Sequence, residues 1–228
     1  MRAPGLLAAA WLIARKDLAI EFRTRSAFLS SLVFSLLAIV IFFFAWDPTA
    51  VGPLDLAPGV LWVTFTFSGL LAMHRSFGVE SQDGALDALL VAPIPREAIF
   101  LGKALANLVF VLGVQAVALP ALAMFYNVPL GDVLLPLLGI MLLSAIGLVA
   151  VGTLFGGITA NTRMAELLLP VLALPFFVPI VMPAAQATAR LLAGRPMEES
   201  LAWLRILLAF DLVFVYACTV AYPFTIED

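Results

Sequence analysis

The chain alternates long apolar runs with short polar breaks. Runs long enough to cross a bilayer as helix, about 20 residues each, fall at about 27–46, 57–77, 104–126, 130–158, 164–186 and 201–222. The fourth has length to spare for tilting. The breaks carry turn-forming residues. Asp47-Pro48 and Gly52-Pro53 follow the first run, and Asn127-Val128-Pro129 and Gly131-Asp132 follow the third. Thr159 to Arg163 separate the fourth from the fifth, and Gly194-Arg195-Pro196 precede the sixth. Proline removes a backbone donor and glycine costs backbone entropy, so both end helices. The pattern predicts an all-α membrane protein, one transmembrane domain over 1–228 with six transmembrane helices.

Residues 5–25 follow a different pattern. On a helical projection Leu7, Trp11, Ala14, Leu18 and Phe22 share one face, with Lys16 and Arg23 opposite. This predicts an N-terminal amphipathic helix lying in the membrane interface. A plain extension of the first span is the competing reading. Arg2 followed by apolar residues 6–14 has the start of a signal peptide. The charges at Arg15, Lys16, Asp17, Glu21, Arg23 and Arg25, and the lack of a clear small-residue cleavage site, make it expected mature protein.

Composition narrows the class. Hydrophobic residues make up 64% and charged residues 12%, against about half and about a quarter in a soluble domain. The net charge of −3 gives no sign of nucleic-acid binding. Cys218 is the one cysteine and His74 the one histidine, which excludes a disulfide framework and a Cys-x-x-Cys or histidine-rich metal site within the chain. Arg2, Arg15, Lys16, Arg23 and Arg25, then Arg75, Arg96 and Lys103, then Arg163 fall on one side of the predicted topology. The breaks at 47–56 and 127–132 have no Lys or Arg; Arg190, Arg195 and Arg205 run against the bias. The positive-inside rule therefore places both termini in the cytoplasm.

The polar connection 74–103 is the most informative segment. Ser81 or Asp83 suits the cap of a short helix, Asp87 suits its first turn, and Pro93 and Pro95 stop it. Leu86, Leu89 and Leu90 give that helix an apolar face, fit for a groove on a partner. A loop whose leucines pack on the span ends fits the same pattern. No Gly-rich phosphate loop occurs anywhere, so P-loop ATP binding is excluded.

Four passages carry a resemblance to a family. They are Pro58-Gly59-Val60-Leu61-Trp62-Val63, Gln82-Asp83-Gly84-Ala85-Leu86, Leu89-Leu90-Val91-Ala92-Pro93-Ile94-Pro95, and Leu167-Leu168-Leu169-Pro170-Val171-Leu172-Ala173-Leu174-Pro175 with Pro179. In order and spacing the chain resembles the CcmB family of permease subunits, which serve the ABC transporter of cytochrome c maturation. The resemblance spans essentially the whole chain. It implies an ABC-2-type permease-like fold in a bacterial inner membrane, without catalysis of its own. It implies an ATP-hydrolysing CcmA-like partner and a second copy of the chain. It also implies CcmC-like and CcmD-like membrane proteins and a CcmE-like haem chaperone. No cofactor is assigned to this chain; ATP belongs to the partner and haem to the pathway. Residues 79–95 become the coupling segment to the ATPase, with Glu80, Gln82, Asp83, Gly84, Leu86, Asp87 and Leu90, and Arg163 marks a second, smaller contact. The 187–200 connection becomes an external re-entrant region.

Asp211 lies inside the sixth run, where an ionisable group is costly unless paired or hydrated. Arg205 or a residue on another span is a candidate partner, and an internally hydrogen-bonded or interface-snorkelling carboxylate is the plainer reading. Pro170, Pro175, Pro179 and Pro183 predict a kinked fifth span, suited either to motion or to static packing. Of these, Pro175 and Pro179 are the functional candidates. His74 is a weak candidate for a haem ligand, since an interfacial polar residue at a helix end explains it as well. Gly152-x-x-x-Gly156 suits close helix contact, within the chain or between copies. Two alternatives stay open: an ABC-2-type permease for another substrate, and a proton-coupled secondary transporter using Asp211.

Overall fold

The computed structural model describes residues 5–83, 92–159, 162 and 164–225, with only the backbone given at 75, 76, 78–83, 165 and 166. Among the described residues the chain is seven helices and no strand. They are α1 (Leu6–Thr24), α2 (Ser26–Ala45), α3 (Pro53–Asp83), α4 (Arg96–Tyr126), α5 (Leu130–Thr159), α6 (Ala165–Leu192) and α7 (Met197–Thr225). Six of them, α2 to α7, contain stretches long and apolar enough to cross a membrane.

α1 and α2 are separate helices. Arg25 takes a left-handed conformation (φ 56°), and its amide donates to the Glu21 carbonyl at 2.6 Å. The Glu21 side chain then accepts from the Phe28 amide at 2.7 Å, satisfying a free donor in the first turn of α2. The corner is therefore built by residues of both helices. At the opposite end of the bundle Asp47 Oδ1 accepts from the Thr49 amide (2.9 Å) and hydroxyl (2.7 Å), closing the α2–α3 turn. Those two bonds, the hydroxyl's first, hold the Asp47 carboxyl below its usual pKa.

α3 is the most enclosed of the spans, while α2 and α7 are the most open. α5 packs on α6, α7, α4 and α3, and α3 touches every helix except α1 and α7 among the principal contacts. Association among apolar helices in lipid rests on close packing rather than on escape from water, so small residues gather at contacts. α5 supplies them here. A Cβ on Gly156 would lie 2.6 Å from the Phe77 ring, one on Gly157 2.7 Å from the Tyr222 ring, and one on Gly152 would overlap Met73. The Gly152-x-x-x-Gly156 pair thus serves packing within the chain, between α5 and α3.

The end away from α1 is closed by aromatics and a few hydrogen bonds. Phe43 and Trp46 of the α2 end stand 5.9 and 6.0 Å from the Tyr126 ring of α4. Trp62 Nε1 donates to Thr188 Oγ1 at 3.0 Å, joining α3 to α6. The Arg190 guanidinium lies 5.1 Å from the Trp203 ring, joining α6 to α7.

Candidate functional site

The expected coupling segment begins as helix. α3 runs on past its apolar part to Asp83, so Ser81 lies in its last turn and does not cap a separate helix. Glu80 and Gln82 favour helix but Gly78, Val79, Ser81 and Asp83 do not, so neither hydropathy nor propensity predicts the extension. Glu80, Gln82 and Asp83 belong to this extension, with only their backbone described. Gly84, Leu86, Asp87 and Leu90 lie outside the described residues, as does Arg163. The chain returns at Ala92 and bends to Pro95, from which α4 starts.

At the root of that extension five helices converge. α1 buries Ala9, Ala10, Ile13, Ala14 and Asp17, a stripe spaced for one helical face. Its small residues let the backbones of α1 and α4 approach closely. A Cβ on Gly102 would come within 2.7 Å of both the Ala10 carbonyl oxygen and Ile13 Cβ. Asp17 closes the stripe. Its Oδ2 lies 3.7 Å from Lys103 Nζ of α4, and its Oδ1 lies 2.9 Å from Lys16 Nζ. The side chains of Lys103 and Asp17 are only 1% and 6% exposed. The Lys103 ammonium also stands 4.8 Å from the centroid of the Phe77 ring on α3. Phe77 packs on Gly156 of α5, and Tyr222 of α7 packs on Gly157 and lies 5.4 Å from Phe100 of α4.

In the sequence Lys103 bears only on topology and Asp17 is one charge among several. A signal was present for Asp17, which continues the Ala10, Ile13, Ala14 stripe where an apolar residue is expected. The stripe also corrects the predicted face of α1. Ala14 is fully buried against the bundle, whereas Leu7, Trp11 and Phe22 are 78%, 58% and 70% exposed. α1 thus has two neighbouring apolar faces, one packed on α4 and one bare.

Asp211 occupies a different level. It lies on the buried face of α7 with Leu207, Cys218 and Tyr222. Its carboxylate rests against Gly147 of α5 and beside Ile180 of α6. Neither oxygen has a hydrogen-bond partner among the described residues. Arg205 is exposed, and no ion pair joins it to Asp211 among the described residues. Pro170, Pro175, Pro179 and Pro183 all lie within α6, which stays one helix from Ala165 to Leu192. Pro175 points outward and Pro179 is half-buried. His74 is half-buried on α3, and no group of three or more His, Cys, Asp or Glu is placed to hold a metal among the described residues.

Residues 8–228 match the CcmB protein family. The chain is 32% identical over 189 residues to heme exporter protein B of Rhodobacter capsulatus, covering 83% of this chain and 86% of that one. It is 31% identical over 189 residues to heme exporter protein B of Paracoccus denitrificans, with the same coverage. With the Pseudomonas aeruginosa heme exporter protein B, identity is 27% over 206 residues, 88% of this chain and 90% of that one. A match along nearly the full chain, on a bundle with six apolar spans, settles the family: the chain belongs to the CcmB family.

Proposed function

We propose that this chain is the membrane permease subunit of an ABC complex in cytochrome c maturation. ATP is hydrolysed on a CcmA-like partner, and two copies of the chain accompany the ATPase. CcmC-like and CcmD-like proteins complete the assembly, and its output is haem handling through a CcmE-like chaperone. The observation that carries this reading is the family match over 8–228, together with relatives named as heme exporters. The lack of any Gly-rich phosphate loop supports an energy source on another polypeptide.

The complex sits in the bacterial inner membrane with both termini cytoplasmic, as the Lys and Arg distribution indicates. In that orientation the α3 extension and residues 84–95 face the ATPase, with Arg163 as a second contact. α1 lies along the interface, its bare face of Leu7, Trp11 and Phe22 in the lipid boundary. The chain transmits closure of the ATPase and performs no bond chemistry itself.

The test replaces Gln82, Asp83 and Leu86 with alanine. It measures how much ATPase co-purifies and how much haem-loaded chaperone is released. The expected result is loss of association and of release together. Normal values of both would sink the coupling role of this segment.

A further inference from the structure

Asp17 and Lys103 are buried charges in a contact otherwise made of apolar residues and glycine. A buried ion pair is a poor device for stability, because each ion gives up hydration that their attraction only partly returns. The best-attested use of such a pair is to fix one register between elements that apolar packing alone would let slide. α1 needs such a fix. It packs along α4, has only slight contact with α2, and meets α2 at a corner made by left-handed Arg25 and the Glu21–Phe28 hydrogen bond.

The pair also reaches α3. The Lys103 ammonium stands on the Phe77 ring, which lies where α3 leaves the apolar core and runs on to Asp83. The other oxygen of Asp17 is held by Lys16, so the carboxylate is clamped between two ammonium groups on different helices. We infer that Asp17 and Lys103 form a positioning pair that makes α1, α4 and the root of the α3 extension move as one body. It passes displacement of the coupling segment into the bundle. This rests on the permease reading above and adds to it the residues through which the movement travels.

The test uses the complete complex with its ATPase. Asp17→Asn and Lys103→Met are made singly, an apolar double variant combines Asp17→Leu with Lys103→Met, and an exchange combines Asp17→Lys with Lys103→Asp. Two quantities are read: ATPase co-purified, and haem-loaded chaperone released per ATP hydrolysed. In the single variants co-purification stays at the unaltered level while release per ATP falls about tenfold, an ordinary size for coupling between sites. The exchange regains most of that release. Unaltered release per ATP in the single variants overturns the inference, as does an exchange that regains nothing. Where a single variant fails to assemble, the apolar double variant decides, because it removes both buried charges. Full release there overturns the pair's role and lost release supports it. Failure of any ATPase to co-purify with the unaltered chain is a separate result, which overturns the permease reading itself.

Discussion

The Asp211 carboxylate rests directly on the backbone of Gly147, in space that any side chain at that position would fill. A Cβ on Gly147 would overlap Asp211 Oδ1 and lie 3.0 Å from Ile180 Cδ1. Gly147→Ala therefore pushes the Asp211 carboxylate out of its place and crowds Ile180. Overpacking of this kind costs about 1–3 kcal/mol. Thermal unfolding of the detergent-solubilised protein reads the loss. Adding Asp211→Ala removes the main overlap, so the double variant should be more stable than the sum of the two single effects. Strict additivity would show that the contact is not what constrains position 147.

Asp211→Asn addresses function at the same place. Among the described residues no donor reaches either oxygen and no ion pair is formed. A neutral amide of the same shape is less costly to bury than an ionised carboxylate without partners. The variant is expected to match or exceed the unaltered thermal stability and to release haem-loaded chaperone at the unaltered rate. Intact folding with release abolished would instead favour proton-coupled transport through Asp211.

Gly156→Ala tests the root of the α3 extension. The added methyl meets the Phe77 ring at 2.6 Å, and a ring pinned between α5 and Lys103 has little room to give. A loss of about 1–3 kcal/mol in thermal unfolding is expected. Phe77→Leu should relieve much of the strain in the Gly156→Ala background. No relief would mean that the glycine contact and the ring act independently.

The parts of this architecture that depend on composition over many residues were legible in the sequence. Six spans announce themselves because lipid tolerates no uncompensated backbone and few charges over about 20 residues. The α1–α2 break was foreshadowed by the charges between Arg15 and Arg25. The continuation of α3 to Asp83 was not legible, since Gly78, Ser81 and Asp83 are weak helix formers and the segment has no apolar signature. Pairing was not legible either. Asp17 and Lys103 are distant in the chain, and nothing local to either predicts that α1 folds back onto α4. For Asp211 the sequence showed an ionisable group at membrane depth, but Arg205 as its partner failed because that residue points outward.

Trp62 and Thr188 offer a test at the end of the bundle away from α1. The indole N–H donates to the threonine hydroxyl at 3.0 Å, and the hydroxyl donates on to the Ala184 carbonyl at 2.8 Å. Both side chains are almost wholly buried. Thr188→Val keeps the shape and strands the indole donor, at a cost of about 1–3 kcal/mol for an unsatisfied buried group. Trp62→Phe removes the donor and leaves a gap where the indole stood. A double-mutant cycle separates the bond from the gap, and in membrane proteins such couplings average about 0.6 kcal/mol. Thr188→Ser should keep the acceptor and most of the stability. Equal stability of the valine and serine variants would show that shape, not the hydrogen bond, joins α3 to α6 at this point.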